Sequence, residues 1–315
     1  LSREIGKRTM TIRFDGRVAI VTGAGAGLGR AHALELARRG ALVVVNDFGG
    51  SVNGSGSSSR PAELVADEIR AAGGQAIAHG ADVTNPEQVA DMVALAMTTW
   101  GRVDVLINNA GILRDASFAK MTQVDFQRVV DVHLMGSVIC TMAVWPHMRQ
   151  AGYGRILMTT SSSGIYGNFG QSNYAAAKMA VIGLMNALQI EGEKNGIRIN
   201  ALGPGAATRM TEALLPPPAI ALMTPDAVSP AAVFLVSENA PARTILNATA
   251  GGFSRTIIYE TEGIFLNGNE RTAEDIARRF EDLSDPTGQQ AYVNGGQQVM
   301  KFVAKAAAAA GIKLG

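Results

Sequence analysis

Charge, aromatic side chains and cysteine are all scarce in this sequence. Only 17% of its 315 residues are Asp, Glu, Lys or Arg, and 28 basic against 27 acidic residues leave a formal net charge of +1. So even a balance supplies no broad attraction for nucleic acid or an anionic membrane, and neither is expected as a partner. The single cysteine, Cys140, cannot close an intramolecular disulfide, and the four histidines form no Cys/His cluster with zinc-ligand spacing. No metal is expected, and a reducing cytoplasm is the expected compartment. No apolar run approaches the roughly 18 residues of a membrane span, and Leu1 to Arg13 lacks the apolar stretch of a secretory signal. The closing Ile-Lys-Leu-Gly also differs from a peroxisomal S-K-L address. What the chain does hold is 47% apolar residues, enough for a sizeable core, which excludes disorder of the bulk.

Short β-rich apolar runs, Val18–Thr22, Leu42–Asn46, Ala76–His79, Val103–Ile107, Arg155–Thr159, Ile197–Ala201 and Thr244–Thr249, alternate with helix-like segments. The helices are expected at Leu28–Arg39, Pro61–Ala72, Pro86–Trp100, Gln123–Gln150, Ser172–Asn195 and Ser229–Glu238. This rhythm predicts an α/β fold, a doubly wound, Rossmann-like parallel sheet of about seven strands with helices on both faces. Gly49 to Ser59 is almost all Gly and Ser and reads as a mobile connection. Pro216-Pro217-Pro218 should keep Met210 to Pro230 from forming helix and stiffen it into a loop suited to a substrate lid or a plain surface connection. Beyond Glu270 the pattern, including Ala306–Ala310, predicts appended C-terminal helices.

Thr22-Gly23-Ala24-Gly25-Ala26-Gly27-Leu28-Gly29 follows the first strand and opens a helix. Glycine permits a tight turn and close approach of backbone to a pyrophosphate, and a helix N-terminus offers unpaired N–H groups with a favourable dipole. The spacing is T-G-x-x-x-G-x-G rather than G-x-G-x-x-G. Asp47, eighteen residues after Gly29 at the end of the second strand, is placed to accept bonds from a ribose hydroxyl and to repel a 2′-phosphate. NAD is therefore expected over NADP. Asp82-Val83 after the third strand and Asn108-Asn109-Ala110-Gly111 after the fourth complete a rim at the carboxyl ends of the strands.

Tyr174 and Lys178 stand one turn apart in an Ala-rich helix, on one face. A phenol with a reference pKa near 10 must drop by ~3 units, about 4 kcal/mol, to act as a base near neutrality. A nearby ammonium and a positive nicotinamide ring are the means expected, with Lys178 also bonding the nicotinamide ribose. Ser161, at the end of the fifth strand, is placed to steady the reacting oxygen, with Ser162 and Ser163 as close competitors. The sixth strand should run into Gly203-Pro204-Gly205 as a rigid turn.

This ordered set resembles the short-chain dehydrogenase/reductase family over about residues 15 to 252. The resemblance implies Ser161, Tyr174 and Lys178 as catalytic residues. It also implies Thr22, Gly23, Gly27, Leu28, Gly29, Asp47, Asp82, Val83, Asn109, Ala110, Gly111, Tyr174, Lys178, Pro204 and Thr208 around NAD. His133 stands where many members carry a catalytic asparagine. It is expected either to replace that residue through its backbone or to be a helix-packing histidine. VVVNDFGG, NNAGILRD, VHLMG, SGIYGNFGQSNYAAAK and Thr208-Arg209-Met210-Thr211 are similar to the hydroxyacyl-CoA and 17β-hydroxysteroid dehydrogenase branch found in peroxisomal multifunctional enzymes.

The resemblance implies an acyl-CoA or steroid alcohol as the small-molecule substrate and a homodimer or homotetramer as the assembly. Ile112, Leu113, Tyr166, Phe169, Met210, Leu214 and Leu215 are candidates for the substrate wall, and Arg114 or Arg209 for meeting CoA phosphates. The domains expected are an N-terminal extension over 1–14, a dinucleotide-binding catalytic domain over 15–252 with a substrate loop at 206–230, and a C-terminal helical extension over 253–315. A fatty-acid-synthesis 3-oxoacyl reductase and an idle dinucleotide sensor are the alternative readings.

Overall fold

A computed structural model describes residues 11–208 and 216–314. The chain divides into two compact units, one reaching to Arg255 and one from Thr256 to Gly315. The first is built on strands β1 (Val18–Thr22), β2 (Leu42–Asn46), β3 (Gln75–His79), β4 (Val105–Asn108), β5 (Gly154–Thr159), β6 (Ile197–Gly205), β7 (Ile245–Thr249) and β8 (Gly252–Thr256). They lie in the order β3-β2-β1-β4-β5-β6-β7-β8. Every registered pair from β3 to β7 is parallel. The eighth strand goes beyond the seven expected. It follows β7 through Ala250 and Gly251, both at positive φ, the backbone a two-residue hairpin requires.

The helices are α1 (Gly27–Arg38), α2 (Arg60–Ala71), α3 (Pro86–Trp100), α4 (Gln123–Val130), α5 (Gly136–Ala151), α6 (Ser162–Tyr166), α7 (Ser172–Gly192), α8 (Pro217–Leu222) and α9 (Ser229–Leu235). Alternation along each strand sends neighbouring apolar residues to opposite faces. On one face Ala19, Val21, Val43, Val45, Ile107 and Leu157 meet Leu36 of α1, Val65 and Ile69 of α2 and Leu235 of α9. Val18, Ile20, Val44, Leu106, Ile156 and Ile199 meet Met92 of α3, Val144 and Met148 of α5, and Ile182 and Met185 of α7 on the other. Two buried faces are why the strands read as unbroken apolar runs.

Three sequence expectations need correcting. First, β6 does not turn at Gly203-Pro204-Gly205 but continues through it, in register with Asn247, Ala248 and Thr249 of β7. β5 stops pairing at Thr159 opposite Leu202, so Pro204 has a strand on one side only, a position a sheet tolerates for proline. Second, the helix expected over Gln123–Gln150 is interrupted by a π turn, Asp131–Met135, between α4 and α5. By length and mean hydropathy Gln123–Ala151 would suffice to cross a membrane, although its apolar residues form no single long run. Here Val129, Val132, Cys140, Val144 and Met148 belong to the core instead. Third, Pro217 and Pro218 do not prevent a helix but start α8, because proline is pre-set for the first helical turn and its missing N–H has no partner to lose there.

The second unit holds α10 (Ala273–Arg278), α11 (Phe280–Ser284) and α12 (Gly295–Ala310), the helices expected beyond Glu270. Lys301 of α12 donates to Glu260 Oε1 at 2.7 Å and to the Thr261 carbonyl at 2.9 Å. Ile264, Phe265, Leu266, Ile276, Leu283 and Phe302 line a hollow in this unit.

Candidate active site

Parallel register puts the carboxyl ends of the central strands along one edge of the sheet, and the chain order reverses direction between β1 and β4. Such a switch point is where open α/β sheets bind ligands. The glycine turn after β1 and the Asn109–Gly111 segment after β4 meet here. Asn109 donates from Nδ2 to the carbonyls of Thr22 (2.9 Å) and Gly23 (3.0 Å), while Thr22 Oγ1 accepts from the amides of Asn109 (3.0 Å) and Ala110 (3.1 Å). The two segments are so close that a Cβ on Gly23, itself at φ +64°, would lie 2.8 Å from Ala110 Cα. One on Gly29 would lie 2.2 Å from the Gly23 carbonyl oxygen.

Ala26, at the N-cap of α1, provides no side-chain bond, so the first amides of the helix around Gly27, Leu28 and Gly29 keep their capacity for an outside acceptor. Thr208 lies beside this turn, 3.4 Å from where a Gly27 Cβ would stand. An uncapped helix start approached by glycine backbone fits the pyrophosphate of a dinucleotide. Asp47, at the end of β2, accepts from the Gly25 amide at 2.8 Å and the Gly49 amide at 2.7 Å. One carboxylate oxygen takes each amide, so each has a lone pair left for a ribose hydroxyl.

Asp82 takes Thr84's amide and hydroxyl at 2.9 and 2.8 Å and shapes the turn after β3. Val83 turns its side chain into the core beside Gly136, leaving only its backbone to the rim. Pro204 lies at the matching edge of β6. The Gly49–Ser59 connection, expected to be mobile, makes two bonds to the segment after β4. The Leu113 amide donates to the Val52 carbonyl at 3.0 Å, and Arg114 Nε donates to the Asn53 carbonyl at 3.0 Å.

Across the edge from the glycine turn, Ser161 ends β5 and caps α6, its Oγ accepting from the Ser163 amide at 3.1 Å. Its two competitors stand differently. Ser162 is exposed, and Ser163 donates its hydroxyl to Gln171 Oε1 at 2.8 Å. Tyr174 rises from the first turn of α7, and a hydrogen bond with Ser161 draws the phenol's pKa downward. Burial acts more strongly and holds it above its ordinary value, and the Asp115 charge adds to the rise. Lys178 is buried and donates to the Thr159 carbonyl at 2.6 Å, and burial lowers its pKa to about 7.

The fall expected of the phenol's pKa draws on the ammonium and a bound nicotinamide ring together; in the protein alone desolvation outweighs the Ser161 bond. Two residues not singled out beforehand shape this corner. Buried Gln171 donates from Nε2 to Asp115 Oδ2 at 2.7 Å, and Asn173 donates from Nδ2 to the Arg114 carbonyl at 2.9 Å. Their sequence signal is a place inside SGIYGNFGQSNYAAAK, just ahead of and beside Tyr174.

His133 lies inside the π turn, fully within the core. Its Nε2 is 2.8 Å from the Ile112 carbonyl oxygen and 3.1 Å from the Ile112 amide nitrogen. Its ring meets the Tyr174 ring edge-on, with centroids 5.0 Å apart and planes at 88°. Burial, and next the Lys178 charge, hold the imidazole well below its ordinary pKa, so it is neutral. The helix-packing expectation describes its surroundings, and contact with Tyr174 adds a link to the site.

Of the expected substrate wall, Ile112 is core rather than wall, while Tyr166 and Phe169 stand 73% and 90% exposed at the rim. Arg114 is engaged by Asp125 at 2.8 Å as well as by the Asn53 carbonyl at 3.0 Å. Arg209, Met210, Leu214 and Leu215 lie outside the described residues. Among the described residues no group of acidic, histidine and cysteine side chains is placed to hold a metal ion.

A family model described as short chain dehydrogenase matches residues 17–217. The chain is 52% identical over 228 residues to peroxisomal multifunctional enzyme type 2 of Drosophila melanogaster, covering 72% of this chain but 38% of that protein. The solved full-length structure of that fly enzyme matches 94% of this chain and 50% of its own at 36% identity, with a TM-score of 0.77. A short-chain type dehydrogenase/reductase of Mycobacterium tuberculosis is 42% identical over 273 residues, 86% of this chain and 95% of that protein. A 7α-hydroxysteroid dehydrogenase solved with NADH and 7-oxo glycochenodeoxycholic acid matches 76% of this chain and 95% of its own at 32% identity, with a TM-score of 0.69.

Proposed function

The chain belongs to the short-chain dehydrogenase family of oxidoreductases, and from that premise we propose that it oxidises a secondary alcohol with NAD. The substrate class we infer is a 3-hydroxyacyl-CoA or a steroid hydroxyl. The observation that carries this reading is the alignment of Ser161, Tyr174 and Lys178 across one sheet edge from an uncapped, glycine-lined helix start that Asp47 borders. Similarity to the fly multifunctional enzyme and to a bile-acid-binding hydroxysteroid dehydrogenase supports the substrate class.

NAD, when bound, supplies the hydride acceptor. The main-chain amides at the start of α1 would hold its pyrophosphate, Asp47 its adenosine ribose, and Lys178 its nicotinamide ribose. Ser161 donates a hydrogen bond to the substrate oxygen, and Tyr174 takes the hydroxyl proton as the C–H bond breaks. Burial lowers the pKa of Lys178 to about 7, which eases release of its proton.

A reductase drawing on NADPH is disfavoured, because a 2′-phosphate would meet the Asp47 carboxylate with no cationic side chain at Ala26 to offset it. Self-association is part of the same reading. Met142 on α5 and Met179 and Ile190 on α7 are exposed apolar residues on long helices, a surface suited to a second copy of the chain.

The test is spectrophotometric: NADH formation with (R)- and (S)-3-hydroxyacyl-CoAs and with 17β-hydroxysteroids, each offered NAD and NADP in turn. Turnover of one class with NAD is expected. Turnover of none of them, or equal use of both cofactors, overturns the proposal.

A further inference from the structure

Three observations meet at one buried imidazole. His133 Nε2 lies within bonding distance of both main-chain groups of Ile112, so either tautomer serves one of them. Its ring edge abuts Tyr174. A Cβ on Gly111 would lie 2.3 Å from His133 Cε1, inside the imidazole. Gly111 has no positive φ, so backbone conformation does not reserve this position for glycine; the histidine does. The π turn is what brings the ring here. One residue inserted into the helix rotates His133 inward, and Ser137 closes the turn by donating its hydroxyl to the His133 carbonyl at 2.7 Å. His133 Nδ1 is buried and has no hydrogen-bond partner among the described residues.

Resting on the dehydrogenase reading above, we propose that His133 is a positioning residue. The ring is a wedge that sets the spacing between the Tyr174-bearing helix α7 and the Gly111–Ile112 rim on which a nicotinamide would lie, and the side chain rather than the main chain does this. An amide side chain is too short to serve Ile112 and to fill the space beside Gly111 and Tyr174 together, and phenylalanine fills the space but leaves the Ile112 groups unpaired. The wedge is an uncharged ring, so the ionisable groups facing it, Lys178 and Tyr174 of α7, meet a fixed neutral neighbour.

Steady-state kinetics and calorimetric NAD binding of His133→Asn and His133→Phe test the claim, with melting temperature as the folding control. Both variants should bind NAD within about threefold of the parent and lose about tenfold or more in kcat with little change in substrate KM. A His133→Asn chain that folds and keeps the parental kcat overturns the proposal.

A coupling experiment tests the contact without turnover. Gly111→Ala should weaken NAD binding about tenfold in the parent chain, and the loss should be largely restored in Gly111→Ala/His133→Ala, where the ring is gone. A double variant no better than Gly111→Ala overturns the wedge. If His133→Asn does not fold, ¹⁵N-histidine NMR of the parent chain decides: His133 should keep one neutral tautomer from about pH 5 to about pH 9, and an ordinary histidine titration in that range overturns the proposal. NAD binding and NMR judge His133 even if no alcohol proves to be a substrate, which would count against the functional reading alone.

Discussion

The Lys178 ammonium lies 5.6 Å from the centre of the Tyr174 ring, one turn along α7, and its hydrogen bond goes to the Thr159 carbonyl rather than to the phenol. Burial, not an attraction between the two, is what decides the protonation of each group. Tyr174 is held protonated and Lys178 is drawn toward neutrality. The site alone favours the acid form of Tyr174.

Removing the phenol should stop chemistry without emptying the site. Tyr174→Phe keeps the ring that His133 packs against and loses only the hydroxyl bonded to Ser161. Alcohol oxidation should fall by about 10²–10⁴-fold, the usual contribution of a positioned acid/base, while NAD affinity stays within a few-fold. Kinetics and calorimetry on the variant check both halves; substantial residual oxidation would contradict the assigned base.

The direction of the Tyr174 shift sets the pH dependence. Burial raises its folded-state pKa, and oxidation draws on the deprotonated form. The fraction of active base therefore grows as pH rises, and log kcat/KM for alcohol oxidation should climb through neutral into alkaline pH with a slope of about one before levelling. The reverse reaction uses the phenol as acid and should hold its rate along that rising limb, falling only where the oxidation profile levels. A flat oxidation profile across that range contradicts the role.

Asp47 should govern which dinucleotide binds. Its two oxygens already take the Gly25 and Gly49 amides, so the carboxylate is fixed in place at the end of β2. On the proposed reading, Asp47→Ala would remove both a ribose acceptor and the repulsion of a 2′-phosphate. The NAD-to-NADP ratio of kcat/KM should shift toward NADP by about tenfold or more, with some loss of NAD affinity from the released glycine turn. An unchanged ratio would remove that role.

How far these residues were readable before the fold is uneven, for physical reasons. The strands were legible because both sheet faces are buried, which leaves unbroken apolar runs such as Val18–Thr22 and Leu42–Asn46. Thr22, Asn109, Ser161, Tyr174 and Lys178 were legible because each sits at or just beyond a strand end, or one helical turn from another. The π turn was hidden because apolar spacing runs on through Val129, Val132 and Gly136 as though the helix were continuous. The length of β6 was hidden because Gly203-Pro204-Gly205 carries the composition of a turn, and only the early end of β5 lets it remain strand. The bond from Gln171 to Asp115 joins residues far apart in the chain, which local pattern does not report.

Acid should expose a second buried histidine, remote from the chemistry. His32 of α1 is fully buried, with Nδ1 2.9 Å from Ser229 Oγ of α9, and burial lowers its pKa from 6.5 to about 4. Between those values the unfolded chain takes up a proton that the folded chain refuses, so the unfolded state gains as pH falls. Stability from this group is intact above about pH 6.5 and is lost progressively down to about pH 4, with a ceiling of about 3 kcal/mol. His133, also held neutral by burial, contributes in the same direction. His32→Asn keeps a polar atom near Nδ1 for Ser229 and cannot titrate. The variant should lose some stability at neutral pH from poorer packing, yet its denaturation midpoint should fall less steeply than the parent's between about pH 6.5 and pH 4. Parallel slopes for the two chains over that interval would show that His32 takes up its proton without unfolding the protein.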